Sequence, residues 1–230
     1  MNDSPKFKAA QEAIKEIESG QKIGLGTGST ARYFVDILGE MVADGFECIC
    51  VPTSIETQNQ ALALGIKLSS LDKLGELDIT IDGADEVDSQ LTLIKGGGGA
   101  LLREKIVADA SKRMIVIADS SKMVDVLGGF ALPIEVNKFG LGATKNRLDE
   151  ILKNFDAKGG LTLRKTMNGK DFLTDGGHLI FDADFGRISD AKALSTKLLD
   201  VPGVVQHGLF IDMCDVAFIA DNDSVKRYDG

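Results

Sequence analysis

The sequence predicts an α/β fold: an open, mostly parallel sheet with helices on both faces, joined to a smaller α+β domain. Three observations predict it. The chain has 230 residues, 43% of them apolar and 27% charged, a globular composition long enough for one large domain or two modest ones at roughly 100 to 200 residues each. Up to about residue 131, short apolar runs alternate with helical patterns, which is the grammar of βαβ units. From Leu132 onward the order becomes β-α-β-β-α-β, the split βαβ or ferredoxin-like arrangement.

From Phe7 to Ser19, residues Ala10, Ala13, Ile14 and Ile17 recur at spacings of three and four, and Gly20 follows as a stop, so a helix leads into strand Lys22 to Leu25. A glycine-rich turn comes next. A second helical pattern then runs through Phe34, Ile37, Leu38 and Met41 to Gly45, followed by the apolar run Cys48 to Val51. Thr53 with Glu56 has capping-box spacing for a helix reaching Gly65, since side chain and backbone amide can satisfy one another there. Apolar runs Leu77 to Ile81 and Met114 to Ala118 flank a helix from about Ala100 to Ala110. These alternations make the first domain a Rossmann-like sheet.

The second domain reads as strand Leu132 to Val136, helix Ala143 to Phe155, strands Leu161 to Lys165 and His178 to Phe181, helix Ser189 to Leu199, and strand Gly203 to Phe210. Asn168-Gly169 and Gly176-Gly177 suit tight turns. The last apolar run, Val216 to Ala220, is a further strand returning to the first sheet. The domains expected are therefore residues 1–131 with 212–230, and residues 132–211.

Composition excludes several classes. Net charge is −9 and Lys and Arg are scattered, so neither nucleic acid nor anionic lipid is an expected partner. Met1-Asn-Asp-Ser-Pro5 lacks a signal-peptide pattern, and no apolar run approaches the roughly 20 residues that cross a bilayer. Cys48, Cys50 and Cys214 are an odd set without metal-type spacing, which fits reduced thiols in a cytoplasmic protein. Only His178 and His207 are present, with no tryptophan. Chemistry should rest on carboxylates, lysines and backbone amides.

Three segments could carry it. Gly24-Leu-Gly-Thr-Gly-Ser-Thr30 lies between a strand and a helix N-terminus, where amides and the hydroxyls of Thr27, Ser29 and Thr30 can meet a phosphate. It has neither the Walker A lysine nor the dinucleotide spacing, and the alternative is a plain turn capped by Ser29 or Thr30. Asp82-Gly-Ala-Asp-Glu-Val-Asp88 starts where strand Leu77 to Ile81 ends, at the edge that lines the crevice in open α/β sheets. Crowded carboxylates need a lysine, a metal or sugar hydroxyls to offset them; the other reading is a solvated acidic turn. Lys95-Gly-Gly-Gly-Gly99 follows Leu91 to Ile94 and runs straight into the helix bearing Arg103-Glu-Lys105. Close approach of backbone to ligand explains those glycines better than slack does. Glu104 shares a helical stripe with Ala100 and Ala108, although a helical glutamate alone is usually just solvated. Pro52-Thr-Ser-Ile55 and Asp119-Ser-Ser-Lys122 reach the same edge, with N-capping and an exposed lysine as ordinary explanations.

In order and spacing, Gly24 to Thr30, Asp82-Gly-Ala-Asp-Glu86, Lys95-Gly-Gly-Gly-Gly-Ala-Leu101 and Arg103-Glu-Lys105 resemble the type A ribose-5-phosphate isomerases. Asp119-Ser-Ser-Lys122, Leu132-Pro-Ile-Glu-Val136, Gly203-Val-Val and Gly208-Leu-Phe210 extend the likeness, whereas Asn137 to Asp175 lies outside the diagnostic motifs. The resemblance implies interconversion of ribose 5-phosphate and ribulose 5-phosphate in the non-oxidative pentose phosphate pathway, with no metal or organic cofactor. It implies a two-domain α/β plus α+β plan and a homodimer or homotetramer. Glu104 matches the proton-transferring base. Thr27, Gly28, Ser29, Thr30, Asp82, Gly83, Ala84, Asp85, Lys95, Gly96, Gly97, Gly98 and Lys122 match substrate-binding positions. Of these, Lys95 would meet the developing oxyanion, Asp82 and Asp85 would orient hydroxyls and assist ring opening, and Thr27 to Thr30 with Lys122 would grip phosphate. A non-catalytic sugar-phosphate sensor is the rival; it would need a DNA-binding segment, which the early first helix and the charge of −9 argue against. Another sugar-phosphate isomerase or a lactonase-like relative also stays open.

Overall fold

The computed structural model describes residues 4–155 and 157–230; Met1 to Asp3, part of the stretch read for a targeting signal, and Asp156 lie outside the described residues. The chain divides into two compact units, one comprising Met1–Ala84, Arg103–Met123 and Asp212–Gly230, the other Asp85–Leu102 and Val124–Ile211.

The first unit opens with helix α1 (Pro5–Ala13), which Ser4 caps by accepting from the Phe7 amide at 3.3 Å, with Pro5 in the first turn. It is shorter than its periodicity predicts: a single 3₁₀ turn, Ile14–Glu16, ends it, and Ile17 is already extended. Strands β1 (Lys22–Leu25), β2 (Ile49–Pro52) and β3 (Ile79–Gly83) alternate with α2 (Ala31–Ala43), α3 (Ile55–Ala63) and the one-turn α4 (Leu71–Leu74). After a passage through the second unit come α5 (Leu101–Asp109), which begins there, and β6 (Met114–Asp119); β12 (Val216–Ala220) and β13 (Val225–Asp229) close the chain. The sheet runs β2-β1-β3-β6-β12-β13, parallel except for β13. Strands covered on both faces need apolar side chains on both, and every residue from Met114 to Ala118 and from Val216 to Ala220 is buried. Ile23, Leu25, Ile79, Ile81, Ile115 and Ile117 form one core with Ala9, Ala10 and Ala13 of α1 and Phe34, Val35 and Leu38 of α2. Because β1 has β2 on one side and β3 on the other, the chain reverses its winding between β1 and β3. Such reversals open a crevice at the carboxyl ends of the strands.

The second unit holds β7 (Leu132–Val136), α6 (Leu141–Asn154), β8 (Leu161–Leu163), β9 (Leu179–Ala183), α7 (Ala191–Leu199) and β10 (Val204–His207). Its antiparallel sheet is ordered β10-β7-β9-β8, so the first strand sits between the fourth and third, as the split βαβ pattern requires. Leu132, Ile134, Val136, Leu179, Phe181, Leu148, Leu194 and Leu198 pack within one core. A smaller sheet, β11-β5-β4, joins Leu209–Phe210, Leu93–Ile94 and Glu86–Val87.

That small sheet places the division differently from the sequence reading, which put 85–102 and 124–131 in the first domain. β5 pairs with β11, the Val124 amide donates to the Val87 carbonyl at 2.9 Å, and the buried Glu86 carboxylate accepts from Gly128 at 2.7 Å and Phe130 at 2.5 Å. Local pairing therefore ties both stretches to the second unit. The single strand expected over Gly203 to Phe210 is likewise two strands in two sheets. Gly208 breaks it: its amide donates to the Pro133 carbonyl at 2.8 Å, its carbonyl accepts from the Lys95 amide at 2.9 Å, and any Cβ would strike the Lys95 carbonyl.

Candidate active site

At the β1 end, the Gly26 amide donates to the Ile81 carbonyl at 2.9 Å, and a Cβ on Gly26 would overlap the Asp82 carboxylate. Glycine is required here because backbone and carboxylate lie in contact. Asp82, at the end of β3, is completely buried; its Oδ1 accepts from the Thr27 amide at 3.1 Å and the Gly83 amide at 2.7 Å. The two central strands are thus linked at their winding reversal.

The Thr27 side chain does not face outward as the motif suggests. Its hydroxyl lies 2.7 Å from Thr53 Oγ1, 2.8 Å from Ser54 Oγ and 3.1 Å from Thr57 Oγ1, while Thr57 Oγ1 donates to the Gly26 carbonyl at 3.0 Å. With its amide and hydroxyl both engaged, Thr27 stiffens the loop. Gly28 (φ +126°) and Ser29 are exposed. Thr30 precedes α2 without making a side-chain cap, so the turn is not the simple capped one. Lys6 Nζ on α1 donates to Ser29 Oγ at 2.8 Å. That lysine brings a cation to the loop from 23 residues away, and nothing in the sequence around Lys6 announces it. The capping expected of Thr53 falls to Ser54, which accepts from the Thr57 amide at 3.1 Å, because the Thr53 hydroxyl donates to the Leu25 carbonyl at 3.0 Å.

Glu104 lies on α5 and is 4% exposed, flanked by buried Ala100, Leu101, Val107 and Ala108. The ordinary solvated helical glutamate is therefore not what is found. Beside it, desolvation pushes the Lys105 ammonium down to about 7. At the end of β6, Asp119 Oδ1 accepts from the Ser121 amide at 3.1 Å, and Lys122 ends a short 3₁₀ turn, partly exposed.

In the second unit, the acidic segment separates by role. Glu86 holds the 128–130 loop, and Asp88 Oδ1 accepts from the Gln90 and Thr92 amides at 2.9 Å each, so both carboxylates serve the backbone. Asp85 Oδ2 accepts from the Gly97 amide at 2.7 Å, and a Cβ on Gly97 would come within 2.7 Å of Asp85 Oδ1. Lys95 is 2% exposed, with Nζ 5.4 Å from the centre of the Phe210 ring, an orientation that stabilises a cation kept from water. Gly96 (φ +105°) and Gly99 (φ +81°) turn the run back on itself, the Gly99 amide donating to the Gly96 carbonyl at 2.9 Å. Arg164 clamps that turn: Nη1 donates to the Gly96 carbonyl at 2.8 Å and the Gly97 carbonyl at 3.1 Å, while Nε and Nη2 donate to Asp182. Arg164 falls in the stretch the sequence reading left outside the diagnostic motifs.

The structure thus gathers Gly26 to Thr30, Thr53, Ser54, Asp82 and Gly83 at one edge of the parallel sheet, and Asp85 with Lys95 to Gly98 in one brace of the second unit. Among the described residues, no three His, Cys, Asp or Glu side chains group so as to hold a metal ion.

A sequence model of the family described as ribose 5-phosphate isomerase A (phosphoriboisomerase A) matches residues 49–224. A ribose-5-phosphate isomerase A of Sinorhizobium fredii is 58% identical over 221 residues, covering 96% of this chain and 95% of its own. Ribose 5-phosphate isomerase from Plasmodium falciparum superposes with a TM-score of 0.92 at 41% identity, covering 99% of both chains. A D-ribose-5-phosphate isomerase solved in complex with phospho-erythronic acid gives 0.91 at 39%, covering 98% of this chain and 97% of that one. Agreement of this extent, in sequence and in fold together, makes the chain a member of the ribose 5-phosphate isomerase A family.

Proposed function

We infer that the chain is an isomerase interconverting D-ribose 5-phosphate and D-ribulose 5-phosphate through an enediol, in the non-oxidative pentose phosphate pathway. The observation that carries this reading is the burial of Glu104 in a chain that matches ribose-5-phosphate isomerases A along nearly its full length. A carboxylate withdrawn from water is costly unless it is hydrogen-bonded or paired, and carboxylates held in such surroundings cluster at functional sites.

Isomerisation of an aldose to a ketose moves one proton between C2 and C1, so a single carboxylate above the sugar plane can remove and return it. Glu104 takes that role. As the proton leaves, charge builds on the carbonyl oxygen, and Lys95 with the amides of Gly96 and Gly98 stabilises it, at roughly 3 to 4 kcal/mol per well-aimed donor, while the Gly97 amide stays with Asp85. Asp82 and Asp85 orient hydroxyls and pass the proton that opens the ring; Gly83 and Ala84 lend backbone to the same stretch. The phosphate is held by the amides of Gly28, Ser29 and Thr30, the Ser29 hydroxyl, Lys6 and Lys122, with Thr27 as the member that keeps the loop rigid. No step in this scheme calls for a metal or an organic cofactor. Among the described residues, no helix is long and apolar enough to cross a membrane. We place the enzyme in the cytoplasm as a homodimer or homotetramer, acting on a small sugar phosphate and not on nucleic acid or membrane.

Ribose 5-phosphate added to the purified chain, with ketose formation followed in the presence and absence of EDTA, tests the reading. Rapid, EDTA-insensitive ketose formation is expected. Binding of the sugar phosphate without turnover would give the chain to the sensor class, and loss of activity on chelation with rescue by a divalent ion would make the acidic segment a metal site.

A further inference from the structure

Cys48 and Cys50 take no part in the chemistry above. Extended chain turns residues two apart to the same side, and the two Sγ atoms lie 3.7 Å from each other, the Cys50 thiol donating to Cys48. Their surroundings differ. Cys50 is fully buried in the core of the first unit, and its main chain is fixed on the sheet edge: the amide donates to the Lys67 carbonyl and the carbonyl accepts from the Ser69 amide, both at 2.9 Å. Cys48 stands one residue before β2, is only partly buried, and lines a cavity of about 420 Å³ with Gly20, Phe46, Glu47 and Lys67. One thiol is anchored and shielded, while its neighbour is reachable and free of strand pairing.

We propose that Cys48 and Cys50 form a peroxide-sensitive dithiol that closes reversibly to an intrachain disulfide. The Cys48 thiolate attacks one peroxide oxygen, breaking the O–O bond and giving Cys48 sulfenic acid and hydroxide, which takes up the proton the Cys48 thiol had released and becomes water. The Cys50 sulfur then attacks the sulfenic sulfur; the S–OH bond breaks, and the Cys50 proton leaves with the hydroxyl as water. Two electrons pass from the two thiols to one hydrogen peroxide, and two waters result. Closure takes a small movement: at roughly 3.3 Å of rise per residue the two Cα atoms lie about 6.6 Å apart, at the upper end of the span of up to about 6.8 Å that a disulfide bridges, and the two Cβ atoms must approach to about 4 Å, which Cys48, standing outside β2, can do by bending toward the anchored Cys50. The order of attack follows from exposure, because accessible thiols of high thiolate fraction react first. The electrostatics agree, since the hydrogen bond from Cys50 holds the Cys48 thiol below the usual range, while that same bond and burial push Cys50 up. A bridge between neighbours on one strand is strained and hence readily reduced. Cys214, whose thiol donates to the Val216 carbonyl at 3.3 Å, is the internal control.

The test is dilute hydrogen peroxide on the reduced full-length chain, read by intact mass and by peptide mapping after alkylation. The expected product has lost two hydrogens, carries its link within the peptide containing residues 48 to 50, and returns to the dithiol with dithiothreitol. Cys48 should be consumed at least about tenfold faster than Cys214. Cys50→Ser should abolish the loss of two hydrogens and leave a Cys48 sulfenic acid that dimedone captures; Cys48→Ser should leave Cys50 reduced at the same dose. The proposal is overturned if the unsubstituted chain keeps Cys48 and Cys50 alkylatable while Cys214 or methionine oxidises, or if the only disulfide formed joins two chains. The measurement on the unsubstituted protein decides the matter even if a variant fails to fold.

Discussion

The glycine-rich turn after β1 and the glycine run after β5 look alike in composition but are held by different physics. In the first, glycines are needed because main chain is pressed against buried side chains: Gly24 against Thr80 and Gly26 against Asp82. Four hydroxyls, from Thr27, Thr53, Ser54 and Thr57, then lock the loop from beneath. In the second, positive φ at Gly96 and Gly99 makes the turn, and one long side chain, Arg164, braces it from another strand region of the same unit. The first tract is held by many short side chains packed directly against it, and the second depends on one long side chain. Rigidity of a glycine-rich segment is thus a property of what packs on it, not of how many glycines it holds.

Substitutions can break or sharpen this contrast. Glu104→Gln, outside both tracts, sets the scale: turnover should fall by roughly 10²- to 10⁴-fold, the usual worth of a general base, with circular dichroism and thermal melting little changed. Near-parental turnover would remove Glu104 from the chemistry. Arg164→Met should loosen only the second tract and lower kcat/KM by roughly 10²-fold, as displacements of about 1 Å do, while the first unit keeps its hydrogen-exchange protection. Equal loss of protection in both units would show that the two tracts are not held independently. Gly26→Ala should destabilise the protein by about 1 to 3 kcal/mol or more, because the new methyl has only main chain and a buried carboxylate to displace. Gly97→Ala, which meets a partly exposed Asp85 side chain able to turn aside, should cost less in a chemical melt; the reverse ranking would sink the distinction between the two tracts. The smallest effect concerns Lys105. Desolvation depresses its pKa to about 7, so between about pH 7 and its unfolded value of about 10.4 the unfolded chain binds a proton that the folded one lacks. Stability from this group therefore rises with pH across that window. Lys105→Met should flatten the rise in melting temperature between pH 7 and pH 10, and an unchanged slope would assign it to other groups.

Much of the parallel sheet was legible because strands buried on both faces must be apolar throughout, as Met114 to Ala118 and Val216 to Ala220 are. β13 was not, since Val225-Lys-Arg-Tyr-Asp229 is an exposed edge with charges in most positions, and short charged edges carry little periodic signal. The site motifs announced themselves by glycine and acid spacing, yet spacing cannot say which way a side chain turns. Hence Thr27 points into the hydroxyl cluster, and Glu86 and Asp88 serve backbone amides. Lys6 and Arg164 were invisible for another reason: each reaches its glycine segment across a long sequence separation, and no local pattern encodes a contact of that kind.

The break at Gly208 has a consequence for engineering the chain. Because β10 ends one sheet of the second unit and β11 ends the other, a single stretch stitches both margins. Opening the polypeptide there to make a circular permutant should strip a border strand from each sheet at once. New termini placed instead in the exposed 222–224 stretch, between paired β12 and β13, should leave both sheets whole.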